Sequence, residues 1–282
     1  MTPQQQPKIT VVPNDKLFVS EPPAMWFGNP SNPTDDPAWT NQNWLKSRFH
    51  FSFAEYRNPA NNRFGIMKVM NDDLVQPKRG FGTHPHGDME IITYIVHGSL
   101  THQDSMGSKE SLGRGSIQFM TAGTGVEHSE FNPSEKPLRF IQTWIVPRKR
   151  GLAPNYGSYN ASTNCEAKKN EVQYLASDTG NTSANTPVKV NQDVDTHAAE
   201  IELGEAVILD LPAGRQAYLL CVEGTVEVNG KTLSKYDAAE IHGDGTPLEV
   251  KATGVEDTEN GEVAHFLMFS MAEDGSGRKD LQ

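Results

Sequence analysis

"TYIVHGSL", Thr93 to Leu100, and "LLCVEGTV", Leu219 to Val226, decide the fold. Each runs through apolar and β-branched residues to a polar residue and a glycine, Gly98 or Gly224, and then starts a second short apolar run. A strand, a tight turn and a returning strand have this pattern, because glycine takes the positive φ that such turns need. The same plan twice in one chain argues for duplication: two stacked β-barrels or jelly rolls, which also remove exposed sheet edges.

The surrounding sequence agrees. "RFGIMKVM", "EIITYIVHGSL", "GSIQFMTAGTG" and "LRFIQTWIVP" form a first group of short apolar runs, and "EAVILDLPAG", "QAYLLCVEGTVEVNG" and "AHFLMFSM" form a second. Gly, Pro, Asn and Asp separate them, and hardly any segment keeps a helical period. Between the groups lies "PRKRGLAPNYGSYNASTNCEAKKN", with the polar "SDTGNTSANTPVKVNQ" soon after. The expected fold class is therefore all-β, with two tandem jelly-roll β-barrel domains packed together, residues 1–155 and 156–282.

Composition narrows the function. The 282 residues carry 25 Lys and Arg against 36 Asp and Glu, a formal charge of −11 that repels phosphate backbones and anionic lipid. Direct nucleic-acid or membrane binding is not expected. The two cysteines, Cys165 and Cys221, form neither a multi-bridge framework nor a zinc pattern. The opening "MTPQQQPKIT" has no signal-peptide or transit-peptide pattern, and no run of 18 apolar residues occurs. A cytoplasmic location, shared with the nucleus in a eukaryote, is the expectation.

Five of the nine histidines fall between His84 and His128. Side chains two apart on a strand share a face, so His84 and His86 of "FGTHPHGDME" project together, as do His128 and Glu130 of "VEHSE". Three imidazoles and a carboxylate, presented as two pairs from two strands, suit an octahedral transition-metal site with open positions. Non-haem Fe(II) fits best, with Mn, Co, Ni, Cu or Zn able to compete.

These residues resemble the cupins and, within them, the pirins. "HPHGDMEIITYIVHG" is similar to the first cupin motif and "GSIQFMTAGTGVEHSEFN" to the second, while the run "QFMTAGTGVEHSE" resembles pirins in particular. The resemblance implies that His84, His86, His128 and Glu130 are the iron ligands and that Glu90 lies behind them, orienting a histidine. Gly87, Asp88 and Met89 depart from the Arg-Gly-Phe of many pirins. Matching Gly224 to Gly98 without gaps sets Asp210, Pro212 and Gln216 against His84, His86 and Glu90, so the second domain is expected to hold no metal.

By the same resemblance the activity is that of a quercetin 2,3-dioxygenase. A flavonol would bind the metal through its 3-hydroxyl, Glu130 would take the proton, and O2 would open the central ring with release of carbon monoxide. Phe81, Met120 and Trp144 are candidates for an apolar pocket around the planar substrate. The alternative is a redox-sensing regulator, in which the oxidation state of iron controls binding of a transcription factor or another protein partner.

Other histidines have blander explanations. His97 fits a hairpin end better than a ligand. His102 and Asp104 share a strand face, a pattern that serves a proton relay, a bond behind the metal ligands or a solvated surface. Cys221 reads as a small buried apolar residue. His50, His197, His242 and His265 are isolated in sequence.

Overall fold

The computed structural model of the protein describes residues 7–30, 44–163 and 168–273; Cys165 lies outside them. The expected all-β architecture holds, and the helical elements among the described residues are short 3-10 turns. The chain divides into two compact units, one comprising Leu17–Arg63 and Met67–Cys165, the other Met1–Lys16, Phe64–Ile66 and Glu166–Gln282.

This division departs from a cut at residue 155 in two ways, each explained by strand pairing. Strand Asn155–Tyr159 pairs with Ile117–Thr121, which keeps it in the first barrel. Strand Lys8–Val12 pairs with Ala238–His242, more than two hundred residues away, so the start of the chain belongs to the second. The backbone N–H of Asn14 also donates to Asp237 Oδ1 at 2.7 Å.

In the first barrel a seven-stranded sheet runs in the order Asn155–Tyr159, Ile117–Thr121, Glu90–His97, Leu138–Ile145, Met67–Val75, Leu45–Phe49, Phe18–Ser20. The other sheet has four strands, in the order Gly80–His86, Val126–Phe131, Leu100–Asp104, Lys109–Leu112. Trp44, Ile95, Leu100, Leu138 and Phe140 pack the apolar part of its interior. The second barrel repeats the plan, with its larger sheet built around Arg215–Glu223 and Gly261–Ala272 and a four-stranded sheet in the order Ala206–Leu209, Leu248–Gly254, Thr225–Val228, Lys231–Ser234.

The matching hairpins explain the matching glycines. Gly98 sits at φ +79°, where a Cβ would lie 2.7 Å from the carbonyl oxygen of Pro137; Gly224 sits at φ +69°, with a Cβ 2.5 Å from that of Gly254. Each turn therefore excludes a side chain by conformation and by space.

The gapless match between the halves, however, is wrong in register. Three residues, 87–89, separate Gly80–His86 from the next strand, whereas five, 210–214, follow Ala206–Leu209, and Arg215–Glu223 is one residue longer with an irregularity between Cys221 and Glu223. The residues standing at the positions of His84 and His86 are therefore Val207 and Leu209. Val250, paired with Val207 as His128 is with His84, takes the third place. All three are buried in an apolar core with Leu211, Leu248 and Ile241, while Asp210 and Pro212 are exposed. The second barrel is thus filled with hydrocarbon where the first is polar.

Candidate metal centre

The polar interior of the first barrel arises from rows of side chains facing each other across its two sheets. In the larger sheet, Gln118, Thr93 and Gln142 are direct cross-strand neighbours and so share a face. In the smaller, His84 pairs with His128 and His128 with Asp104, while Phe81, Glu130, His102 and Glu110 form the adjoining row. Strand alternation places His128 and Glu130 inward and Glu127 and Ser129 outward, as their burial confirms. Between His128 and Glu130 the pairing register slips by one residue, and Gly80 approaches so closely that a Cβ there would lie 2.2 Å from the Glu130 carbonyl oxygen. This bulge sets where Glu130 enters the interior.

His84, His86 and His128 converge. The Nε2 of His128 lies 3.0 Å from Nε2 of His86 and 3.1 Å from Nε2 of His84. Three nitrogens so placed, with no room for three protons between them, point their lone pairs at one centre. Burial, then the neighbouring imidazoles, pushes the pKa of His86 and of His128 down to about 3, so both are neutral at pH 7, as metal ligation requires. His84 Nδ1 lies 2.8 Å from the carbonyl oxygen of Gly82, a bond that fixes the proton on Nδ1 and leaves Nε2 free.

Glu130 forms a second group, overlapping the first at His128: the ligand atoms of His102, His128 and Glu130 lie within 4.8 Å of one another. The carboxylate is buried and clamped. Gln142 Nε2 donates to Oε2 at 2.8 Å and Gln118 Nε2 to Oε1 at 3.3 Å. Both amides are held the right way round, because Trp144 Nε1 donates to Gln142 Oε1 and the Tyr156 hydroxyl to Gln118 Oε1, each at 3.1 Å. The donor set, three imidazoles and one nearby carboxylate, fits a divalent transition metal.

Glu90 joins neither group; it is fully buried and accepts the Thr121 hydroxyl at 2.9 Å. His102 is buried rather than solvated, stacked on Tyr156 at 4.4 Å, with Nε2 3.0 Å from Asp104 Oδ2. His97 ends its strand opposite Arg139, as a hairpin-end residue should. Cys221 is fully buried among apolar neighbours. The other histidines are less isolated than their sequence suggests: His265 bonds Glu223 at 3.0 Å, His242 pairs with Glu273, and His197 stacks on Tyr174.

The aromatic residues border the cluster. Trp144 stands edge-on to His86 at 4.8 Å, and Phe81 and Phe27 lie 6.4 and 5.8 Å from His84. Met120 is buried with Ile91, Ala122 and Val126, and Trp144 packs against that group. Phe53, edge-on to Trp144 at 5.2 Å, also lines a cleft of about 610 Å³ with Tyr56, Arg57 and Asn58.

Sequence reasoning passed over four interior residues: Gln118, Gln142, Tyr156 and Asp73. Burial raises the Asp73 carboxyl to about 8, with the charges of Asp72 and Glu130 adding to the effect. The available signal was a polar residue inside an apolar strand, as in "GSIQFMTAG" and "LRFIQTWIVP".

Comparison with known proteins identifies the family. Residues 33–145 match the Pirin family model, and residues 174–270 match the quercetinase C-terminal cupin domain. A pirin-like protein of Caulobacter vibrioides is 37% identical over 227 residues, 80% of this chain and 95% of that protein. Quercetin 2,3-dioxygenase of Escherichia coli K12 is 38% identical over 202 residues, 71% of this chain and 84% of that one. Among solved structures, the bacterial pirin YhhW of Escherichia coli in complex with nickel(II) superposes with a TM-score of 0.74 at 29% identity, over 94% of this chain and 99% of that one. With two cupin-type domains and relatives of this similarity along most of its length, the chain belongs to the pirin family.

Proposed function

We propose that this protein is a non-haem iron dioxygenase that opens the central ring of a flavonol, with His84, His86, His128 and Glu130 as the iron ligands. The convergence of three imidazole Nε2 atoms beside a buried, oriented carboxylate carries this reading. The quercetin dioxygenase among its relatives supports the choice of substrate class.

Bound iron supplies a Lewis acid for the substrate hydroxyl and a redox centre for O2. The chain supplies everything else. Glu130 is positioned to accept the 3-hydroxyl proton: a carboxylate has about four acceptor sites, and the two glutamines use one on each oxygen. Trp144 and Phe81 provide aromatic walls that fit a planar substrate. The cleft bordered by Phe53, Tyr56, Arg57 and Asn58 offers polar groups for hydroxyls on the distal ring. In the overall reaction both atoms of O2 enter the cleaved ester, and the ring carbon bearing the 3-oxygen leaves with it as carbon monoxide.

The test is anaerobic reconstitution with Fe(II), followed by air and quercetin. Loss of flavonol absorbance with release of an equal amount of carbon monoxide is expected. Tightly bound iron without flavonol loss or carbon monoxide would sink the dioxygenase reading while leaving the metal site standing.

A further inference from the structure

The Nδ1 side of His128 faces away from the cluster and lies 3.4 Å from Nδ1 of His102. His102 Nε2 in turn lies 3.0 Å from Asp104 Oδ2, while Asp104 Oδ1 accepts the backbone N–H groups of Met106 and Ser108, each at 2.9 Å. His102 is clamped flat against Tyr156, with an interplanar angle of 13°.

The polarity of this chain follows from its far end. Asp104 can only accept when ionised, so His102 carries its proton on Nε2. With a single proton on its ring, His102 accepts at Nδ1, and His128 meets it with its own proton on Nδ1. That leaves a lone pair on His128 Nε2, aimed at His84 and His86.

We propose that Asp104 and His102 are positioning residues: a carboxylate–imidazole relay, outside the ligand set, that locks His128 in the tautomer able to bind metal. The relay rests on the metal-site reading above for its purpose, but it makes a statement about protons that stands without any metal. Such a partner behind a ligating histidine is worth about 10- to 100-fold in metal affinity.

The relay makes an ordering that simple structural support would not. In Asp104→Asn, the amide oxygen stays with the N–H groups of Met106 and Ser108, which both bond the Oδ1 side. The amide NH2 therefore takes the Oδ2 side and donates to His102 Nε2. His102 must then protonate on Nδ1, and His128 must move its proton to Nε2, into the metal position. In His102→Ala, by contrast, His128 loses a partner but is not forced into the wrong form.

The experiment measures Ni(II) affinity by chelator competition and imidazole tautomers by 15N NMR in the metal-free protein, for the wild type, D104N, H102A and the double variant. Ni(II) binding in D104N is expected to be weaker than in H102A by at least about tenfold. His128 should read as Nδ1-protonated in the wild type and Nε2-protonated in D104N. The double variant should return to the H102A level, because removing His102 disconnects the wrong-way donor. H102A binding more weakly than D104N, a double variant as weak as D104N, or an unchanged His128 tautomer in D104N would each overturn the relay. A wild type that binds no Ni(II) overturns the metal-site reading instead, and the tautomer measurement still decides the relay.

Discussion

The glutamine clamp on Glu130 leads to a quantitative expectation for the metal-free protein. Gln142→Leu removes the 2.8 Å bond to Glu130 Oε2 and the acceptor of Trp144 Nε1; Gln118→Leu removes the 3.3 Å bond to Oε1 and one of the two acceptors of the Tyr156 hydroxyl, which keeps Glu110 at 3.1 Å. A hydrogen bond to a charged group contributes about 1.5–3 kcal/mol, and Glu130 is buried with only 2% exposure, so water cannot fully replace the lost donor. The cost expected for Q142L is about 2–3 kcal/mol, and for Q118L about 1 kcal/mol, because its bond is long. The tryptophans among the described residues, Trp26, Trp44 and Trp144, lie in the first unit, so tryptophan fluorescence in urea reports on that barrel even where the two units unfold separately. Combining Q142L with Glu130→Ala should cost less than the sum of the singles by about 1–2 kcal/mol, the coupling of a shared bond. Equal costs for the two glutamines, or strict additivity of Q142L with E130A, would refute the clamp.

Three further outcomes follow from the same structure. Asp73 has a folded-state pKa near 8 against 3.8 for an ordinary aspartate, so its contribution to stability is complete below pH 3.8 and is lost as pH rises toward 8. Asp73→Asn should therefore flatten thermal stability across that window, gaining on the wild type by up to about 1.4 kcal/mol for each pH unit; parallel pH profiles for the two proteins would contradict the buried neutral acid. Gly98→Ala combines a positive φ with a Cβ 2.7 Å from Pro137 O, whereas Gly107→Ala, at φ +97°, meets nothing within 4 Å. Denaturation should show Gly98→Ala costing more than Gly107→Ala, the latter about 1–2 kcal/mol from backbone strain alone. Trp144→Ala opens the aromatic wall beside His86 and should raise KM for quercetin more than it lowers kcat, which steady-state kinetics would show.

Much of the fold was legible because strand signals are local. The alternation that makes His84, His86, His128 and Glu130 share an interior, and the glycines that close the two hairpins, are properties of short segments. What was not legible depends on distant pairing. "KITVV" reads as a strand, but nothing near it in sequence says that its partner is Ala238–His242. The gapless alignment of the halves failed because a longer turn and an irregular strand shift the register, which residue identity alone does not reveal. With the register corrected, Val207, Leu209 and Val250 stand where His84, His86 and His128 stand in the first barrel.

The same contrast holds within the site. Charged and imidazole residues announce themselves, whereas Gln118 and Gln142 become informative only when the sheet places them in one row with Thr93 and opposite Glu130. His102 lay in the sequence as one half of a same-face pair; its burial against Tyr156 required the seven-stranded sheet, and its approach to His128 required the pairing of Leu100–Asp104 with Val126–Phe131.

The central claim is that one metal is held by His84, His86, His128 and Glu130, and metal content after Fe(II) loading and dialysis tests it most directly. The wild type and His97→Ala should retain about one iron per chain, while His86→Ala and Glu130→Ala should lose most or all of it. Full retention in Glu130→Ala, or loss in His97→Ala equal to that in His86→Ala, would contradict the assignment.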